Sequence, residues 1–318
     1  MAMRIGLISM AHVHAEGYAS ELEKRGLLSG IYDEDEKRGK NAAEKHNVKF
    51  FSEVDSLLDS SDAVLIASPT NLHRIYVERA ASRHKHILIE KPLAFRRDEA
   101  EAMVKSASEV KFGICFSSRL SPVYVTAKRI LDEGALGHVN FMRIRVAHSA
   151  ALDKWFAPDN WFVDRVRSGG GGLLDLGVHG VDLLYWLKGE PPASTAALTS
   201  NASGTYGIDD EGALIMKWRD GALGEVEGAW TQRAGFNSLE VYGNLGTLVT
   251  GLPDHTLLVN RKGKWEDVAV TVAQKTVIED FVESIEQNRE PVAPAKDGII
   301  STAVMEAAYS NSGIELKL

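Results

Sequence analysis

Residue types suited to proton transfer stand in two short motifs of this 318-residue chain. Lys91 lies in the motif Glu90-Lys91-Pro92, and Asp175 and His179 lie in the motif Asp-Leu-Gly-Val-His. An imidazole titrates near neutral pH, which suits a general acid or base. Lys91 precedes a proline, and this restricts its backbone and aims its side chain reproducibly. We expect Lys91, Asp175 and His179 to carry the chemistry.

Each motif also has a purely structural interpretation. An isolated Lys-Pro is commonly a surface turn with a solvated lysine, and the Asp-His pair is also typical of a buried histidine bonded to a helix-capping carboxylate. On a helix, Asp175, His179 and Asp182 fall on one face at i, i+4 and i+7. Four glycines precede them, and glycine lets a backbone approach a ligand closely. A metal site made of Asp175, His179 and His148 is a further alternative.

A second group of candidate residues follows the apolar run from Ile5 to Ile8. Ser9, Ala11 and His14 stand where dinucleotide-binding turns carry three glycines. Ser9 and Ala11 are small enough to keep part of that turn, and His14 is not. We expect this turn, including His12, to hold the pyrophosphate of a cofactor. His12 and His14 could instead bind a metal, but an i,i+2 pair diverges on a helix, so we predict no metal.

Asp33 stands at the end of the next apolar run, Leu28 to Tyr32. A carboxylate at this position accepts both ribose hydroxyls of the adenosine and repels a 2′-phosphate. The residues that follow, 34–36, are all acidic and offer no immediate cation for that phosphate. The sequence therefore favours NAD over NADP. A carboxylate that only caps the next helix is the alternative interpretation.

Short apolar runs alternate with helical patterns through the first part of the chain. The runs are 5–8, 28–32, 48–51, 63–67, 87–89 and 112–116. Continuous apolar strands separated by helices predict a parallel sheet that binds its ligand beyond the carboxyl ends of the strands. The segments after two of these strands, 68–73 and 90–93, should therefore lie on one rim. This rim adds further candidate cofactor residues: Ser68, Pro69, Thr70, Asn71, His73 and Glu90.

The second part of the chain has a different pattern. From Ala196 to Val270, period-two runs punctuated by turn residues predict a mostly antiparallel sheet, and two helical patterns close the chain. We predict an α/β fold with a Rossmann-type domain in residues 1–119 and an α+β domain in residues 120–318. Arg119, at the boundary, and Trp161, upstream of the glycines, are candidates to shape a substrate pocket.

Composition excludes several classes of protein. The formal net charge is −8 and basic residues form no long run, so nucleic-acid binding is not expected. No apolar stretch approaches the roughly 20 residues needed to span a bilayer, so we expect no membrane partner. The single cysteine, Cys115, cannot form an internal disulfide and favours a reducing cytoplasm.

These motifs, in this order and spacing, resemble the glucose–fructose oxidoreductase and inositol dehydrogenase (Gfo/Idh/MocA) family. The resemblance rests on Glu90-Lys91-Pro92, on 69–73, and on the glycines followed by Asp175, Gly177, His179 and Asp182. It covers the whole chain and implies a Rossmann domain followed by a domain with a large open sheet, commonly used for homo-oligomerisation as a dimer or tetramer. It also implies oxidation or reduction of sugars, polyols or inositol-like compounds with NAD or NADP.

Carried over by position, the resemblance makes Lys91 and His179 the catalytic pair, and Asp175 binds substrate or supports His179. The residues that would line the nicotinamide side are Pro69, Asn71, His73 and Glu90. We expect His179 to be the principal acid or base and Lys91 to polarise the reacting oxygen, although these roles can be exchanged. Rival functions are a cofactor-binding regulator without chemistry, an NAD-recycling elimination or glycoside-cleaving enzyme, and a metal-dependent hydrolase or isomerase.

Overall fold

The computed structural model describes residues 3–233, 237–251 and 256–310. Its internal contacts divide the chain into two compact units, of which the first holds residues 1–115 and 276–299 and the second holds residues 116–275 and 300–318. The break after Cys115 lies close to the boundary expected at residue 119, whereas the return of 276–299 to the first unit was not expected. Among the described residues, no helix combines the length and apolar character needed to cross a membrane.

The first unit is built on a parallel sheet whose strands follow the order β3-β2-β1-β4-β5-β6. The strands are β1 (Ile5–Ile8), β2 (Leu28–Tyr32), β3 (Phe50–Phe51), β4 (Ala63–Ile66), β5 (His86–Ile89) and β6 (Phe112–Ile114). Every residue of β1 and β4 is buried, as expected for strands covered on both faces. The strand order reverses between β1 and β4, and ligands of such sheets bind at the carboxyl ends beside that reversal. The prediction of a Rossmann-type sheet is confirmed.

Helices connect these strands and cover the sheet. They are α1 (Ala15–Lys24), α2 (Glu36–Lys45), α3 (Val54–Asp59), α4 (His73–Ser82) and α5 (Arg97–Ser106). The start of α2 is fixed by Asp35, whose side chain accepts a hydrogen bond from Arg38 N. Helix α3 was not predicted, because its six residues are too short for a clear helical period.

The second unit is built on an eight-stranded sheet in the order β14-β13-β12-β11-β7-β10-β9-β8. Its strands are β7 (Val139–Ala147), β8 (Ser194–Ser200), β9 (Glu211–Lys217), β10 (Leu223–Ala229), β11 (Ser238–Gly243), β12 (Gly246–Thr250), β13 (Leu257–Arg261) and β14 (Lys264–Asp267). The strands pair antiparallel except for β7 with β10. The predicted, mostly antiparallel sheet is therefore confirmed.

The two faces of this sheet differ. The helices of the unit include α6 (Pro122–Asp132), α7 (Arg165–Ser168) and α8 (Val178–Lys188), and α8 packs on β7 and β10. The other face carries the exposed side chains of Leu198 and Ile215. Ion pairs between Arg143 and Glu225, at 3.4 Å, and between the Arg145 and Glu227 side chains lie on the central strands.

Two helices end the described chain, α9 (Val277–Glu286) and α10 (Ala295–Ser310). Helix α9 begins with a capping box, in which Thr276 and Glu279 satisfy each other's backbone nitrogens. Its Ile278 and Phe281 are 1% exposed and belong to the core around β1. This apolar face explains why residues 276–299 join the first unit.

Candidate functional site

The turn after β1 keeps a glycine-like backbone without glycine. Ser9 has a φ of +72°, in the left-handed region that favours glycine, and its side chain is fully buried. Its backbone nitrogen donates to Tyr32 O at 2.7 Å, and its hydroxyl donates to Glu34 at 3.0 Å and accepts from Ala11 N at 3.1 Å. These bonds hold the turn in the conformation that a dinucleotide-binding motif obtains from glycine.

His12 and His14 meet at the carboxylate of Glu90. His14 Nδ1 lies 2.8 Å from Glu90 Oε1, and His12 Nδ1 lies 3.4 Å from the same oxygen. The two imidazole ring centroids are 4.6 Å apart. The expectation that this pair diverges was wrong, because both residues precede the helix: α1 starts at Ala15 and His14 is its N-cap. The phenol of Tyr18 also donates to Glu90 Oε1, at 2.6 Å.

Lys91 follows this buried carboxylate and is itself buried, with 4% of its surface exposed. The Lys91–Pro92 peptide is cis, and Lys91 N donates to Glu90 Oε2 at 3.0 Å. Burial opposes the charge of Glu90, but the His12 and His14 imidazoles hold its pKa well below the usual range. The interpretation of Lys91 as a solvated surface lysine is therefore wrong.

The segment after β4 is joined to the segment after β5 by one histidine. His73, 1% exposed, places Nδ1 3.1 Å from Leu93 O and Nε2 3.2 Å from Ser68 O. Burial lowers the pKa of His73, so its ring is neutral and one of its nitrogens donates. His73 therefore holds the rim together from inside. Pro69 and Thr70 beside it are buried, whereas Asn71 is exposed.

The carboxylate of Asp33 is already engaged by the protein. One oxygen accepts from Met10 N and Arg38 Nε, at 2.7 and 2.8 Å, and the other accepts from Asp35 N and Arg38 Nη2, both at 2.7 Å. Residues 34–36 offer no cation, as the sequence indicated, but the sequence analysis overlooked Arg38. Arg38 lies two residues beyond Glu36, in the first turn of helix α2, and its guanidinium reaches back to Asp33.

In the second unit, the glycine run lies against the backbone of residues 209 and 210. Gly171 N donates to Asp209 Oδ1 at 3.0 Å, and Gly172 N donates to Asp209 O at 2.8 Å. A Cβ on Gly171 would lie 1.8 Å from Asp209 O, and one on Gly172 would lie 2.4 Å from Asp210 O. These two positions therefore admit only glycine without rearrangement.

A tyrosine near the end of the chain supports the same turn. The Tyr309 hydroxyl donates to Asp209 Oδ2 at 2.8 Å and accepts from Leu174 N at 3.1 Å. A π-helical turn, Leu173–Gly177, follows the glycines and leads into α8. Such turns are uncommon and occur frequently at functional sites.

The spacing had suggested that Asp175 and His179 share one regular α-helix, but they do not. Asp175 lies in the π-helical turn, and its Oδ2 accepts from the indole nitrogen of Trp230 at 2.9 Å. His179 lies in α8, where its ring is edge-on to Phe116 with the centroids 6.1 Å apart. Both Asp175 and His179 remain partly exposed.

Two predicted substrate residues are committed to internal contacts. Arg119 is 1% exposed and donates to both oxygens of Asp182, at 2.9 and 2.7 Å. Trp161 is 5% exposed, and its ring packs on Phe162 at a centroid distance of 4.1 Å. These contacts give Arg119 and Trp161 a role in supporting the second unit.

No sequence pattern indicated that Trp230 contacts Asp175. The Trp230 side chain is fully buried among aromatic rings, including those of Phe156 and Tyr206. The two residues are distant in sequence, so only the fold could show this hydrogen bond.

Comparison with known proteins agrees with this architecture. Residues 4–114 match the model of an oxidoreductase family with an NAD-binding Rossmann fold, and residues 124–249 match the GFO/IDH/MocA C-terminal domain. Together these matches span most of the chain, which belongs to the Gfo/Idh/MocA family of oxidoreductases.

Several characterised proteins are similar over nearly the full length. The chain is 26% identical to 1,5-anhydro-D-fructose reductase of Ensifer adhaerens, covering 99% of this chain and 98% of the relative. It is 25% identical to inositol 2-dehydrogenase of Rhizobium meliloti, covering 97% and 96%. Its fold is similar to that of aldose-aldose oxidoreductase from Caulobacter crescentus complexed with glycerol, with a TM-score of 0.85, 22% identity and 97% of each chain covered.

Proposed function

We propose that this protein is an NAD(P)-dependent oxidoreductase acting on a secondary alcohol or ketone of a sugar, polyol or inositol-like compound. The observation that carries the proposal is the buried Lys91, next to the charged carboxylate of Glu90, on the carboxyl rim of a Rossmann sheet. The family defines the NAD-binding fold. The names of the relatives, a reductase of an anhydro sugar and an inositol dehydrogenase, support the substrate class.

The first unit fits a dinucleotide because Ser9 keeps the left-handed backbone of the phosphate-binding turn. The turn residues would hold the pyrophosphate, Asp33 would hold the ribose, and the rim would hold the nicotinamide. The residues proposed for these roles are Ser9, Ala11, His12, His14, Asp33, Ser68, Pro69, Thr70, Asn71, His73, Glu90 and Lys91. The nicotinamide supplies the hydride acceptor or donor when it is bound.

The remaining chemistry falls to this chain's own side chains. His179 removes the hydroxyl proton during oxidation and returns it during reduction, since an imidazole is matched to neutral pH. Lys91 places a positive charge at the reacting oxygen. Asp175, whose carboxylate is oriented by Trp230, binds a substrate hydroxyl or supports His179. In this proposal Arg119 and Trp161 shape the substrate side of the second unit indirectly, through Asp182 and Phe162.

For the cofactor we propose NAD as the preferred form, with some use of NADP. Asp33 would accept from a ribose hydroxyl in exchange for one of its present donors, whereas Arg38 offsets its charge and is a candidate partner for a 2′-phosphate. The ratio of the two activities therefore depends on the Asp33–Arg38 pair.

We also propose a cytoplasmic homo-oligomer. The outer face of the eight-stranded sheet exposes Leu198 and Ile215 beside paired charges, a mixture that suits contact with a second copy. Light scattering on the wild-type chain and on Ile215→Lys tests this assembly. A mass that remains that of one chain in the wild type contradicts it. The single cysteine, Cys115, is buried and fits a reducing compartment.

The central experiment combines a substrate screen with a substitution. Purified protein is assayed against sugars, polyols and inositols with NAD and with NADP. With the best substrate, Lys91→Met, which keeps the buried volume and removes the charge, should lower kcat by about 10²–10⁴-fold. Binding of NADH, followed by fluorescence, should change little. The matched control is Lys105→Met, at an exposed lysine of the same unit.

Three outcomes contradict the proposal. Unchanged turnover in Lys91→Met removes Lys91 from the mechanism. Cofactor binding without turnover across the whole panel favours a regulator instead. Product formation without net NADH identifies the NAD-recycling alternative, in which oxidation is only transient.

A further inference from the structure

His14 stands where the dinucleotide-binding fingerprint has a glycine, and it completes a group of three side chains that can bind a metal ion. His12, His14 and Glu90 each offer one ligand atom, and these atoms all lie within 4.8 Å of one another. His12 and Glu90 are buried, whereas the His14 side chain is 50% exposed. The cluster lies wholly within the first unit and has one side open to solvent. An ion therefore has a path to ligands that are otherwise enclosed.

The ligand atoms are of the kinds that zinc prefers. Two imidazole nitrogens and a carboxylate oxygen form a ligand set typical of open zinc sites, which keep a fourth position for water. With neutral imidazoles and a charged carboxylate, the set carries one negative charge against a divalent ion. Bonds of about 2.0–2.2 Å to a tetrahedral ion require ligand atoms about 3.3–3.6 Å apart. The distance from Glu90 Oε1 to His12 Nδ1, 3.4 Å, lies in that range, and the distance to His14 Nδ1, 2.8 Å, reaches it by a small movement of the half-exposed His14 side chain.

The surrounding contacts already orient these ligands. Tyr18 donates to Glu90 Oε1 and Lys91 N donates to Glu90 Oε2, so the carboxylate is fixed from both sides. His12 Nδ1 lies 3.2 Å from His14 N and 3.4 Å from Glu90 Oε1, so this nitrogen faces the other ligand atoms. Metal binding requires the ligand nitrogens in their deprotonated form and would replace the present contacts of His12 Nδ1 and His14 Nδ1 with Glu90.

We propose that His12, His14 and Glu90 form a binding site for a divalent transition-metal ion of the zinc class. The site does not depend on the proposed enzymatic activity and is present without cofactor or substrate. It belongs to the same turn that departs from the dinucleotide fingerprint, and metal binding gives a physical reason for a histidine at a glycine position.

Calorimetric titration of the metal-stripped full-length protein with Zn²⁺ tests the proposal. We expect one ion per chain, and Co²⁺ in place of Zn²⁺ should give the visible absorption bands of a four-coordinate site. His14→Gln is the decisive variant, because its amide can still donate to Glu90 but is a poor zinc ligand. It should weaken Zn²⁺ binding by more than the roughly 10–100-fold that loss of a group outside the ligand set causes.

The matched control is His84→Gln, which removes an exposed histidine 3.4 Å from Glu109 and should leave the titration unchanged. His12→Gln should abolish the Co²⁺ bands in the same way as His14→Gln, and thermal melting establishes that each variant is folded. Should His12→Gln fail to fold, His14→Gln alone decides, since its side chain is half exposed. Absence of Zn²⁺ binding by the wild type, or equal binding by His14→Gln, overturns the proposal.

Discussion

The polar residues of the two units are held in place by different means. In the first unit, charged side chains position one another: Glu90 is bound by two histidines, and Asp33 by Arg38. In the second unit, the backbone around Asp175 is positioned by close contact of the glycines with residues 209–210. A site held by side-chain charge can be changed one bond at a time. A site held by backbone contact tolerates no added atom.

The glycine run gives the largest expected effect and the most direct test of this difference. Gly171→Ala places a methyl group 1.8 Å from Asp209 O, so the turn and the π-helical segment must shift. We expect the free energy of unfolding to fall by at least about 3 kcal/mol, at the upper end for overpacking. Urea denaturation measures it. Gly207→Ala is the control, because a Cβ there has no neighbour within 4 Å. Equal stability of the two variants would contradict backbone positioning.

The next largest effect concerns a single hydrogen bond in the second unit, between Trp230 and Asp175. Trp230→Phe removes the donor to Asp175 while keeping an aromatic ring in place. A hydrogen bond to a charged group contributes about 1.5–3 kcal/mol, so kcat should fall by about 10-fold or more. Trp218→Phe is a matched control, since this equally buried indole donates to Glu190 O instead. Both variants should lose similar stability. Equal loss of kcat in both would show that Trp230 acts only through packing.

The first unit was predictable from the sequence because its signals are local. Continuous apolar runs such as Ala63 to Ile66, each followed by a helix, define a parallel sheet, and the topology then assigns its ligand-binding rim. The candidate residues of that rim follow from chain position alone. The segment 276–299 could not be assigned in this way, because Ile278 and Phe281 find their core only in three dimensions.

The sequence analysis did not predict which polar side chains contact one another. The i,i+2 spacing of His12 and His14 was judged as if both residues lay on a helix, but the helix starts only at Ala15, so the conclusion did not apply to them. Arg38 was overlooked because only the three residues after Asp33 were considered. The partners of Asp175, Trp230 among them, lie far along the chain, and no local pattern points to them.

Substitutions of Asp33 and Arg38, which we propose lie beside the adenosine ribose, test whether charged side chains position the polar residues of the first unit. Arg38→Gln removes the cation beside Asp33 and should lower kcat/KM with NADP by about 10-fold. This change corresponds to a loss of roughly 1.4 kcal/mol in transition-state stabilisation. The effect with NAD should be smaller. Asp33→Asn, which removes the negative charge, should shift the ratio in the opposite direction. Steady-state kinetics with both cofactors measures it. Parallel changes in both activities after either substitution would place Arg38 and Asp33 in a structural pair without cofactor selectivity.

The smallest expected effect is a pH dependence carried by His73, which holds the rim of the first unit without charge. Burial lowers its pKa, whereas an unfolded histidine titrates near 6.5. Below about pH 6.5 the unfolded chain therefore binds a proton that the folded chain does not, so stability is present above this pH and is lost as the pH falls.

Protonation of the histidine in the unfolded chain sets an upper limit to this loss of stability. Between pH 7.5 and 5.5 a single buried histidine costs at most about 1.4 kcal/mol, and His86, whose pKa burial also lowers, adds to the total. His73→Gln should reduce this difference, whatever it does to absolute stability, whereas His84→Gln, at an exposed position, should not. Urea denaturation at the two pH values gives the comparison. A pH dependence unchanged in His73→Gln would mean that the pKa of His73 is the same in the folded and the unfolded chain, so that burial against Ser68 O and Leu93 O does not keep this ring neutral as the pH falls.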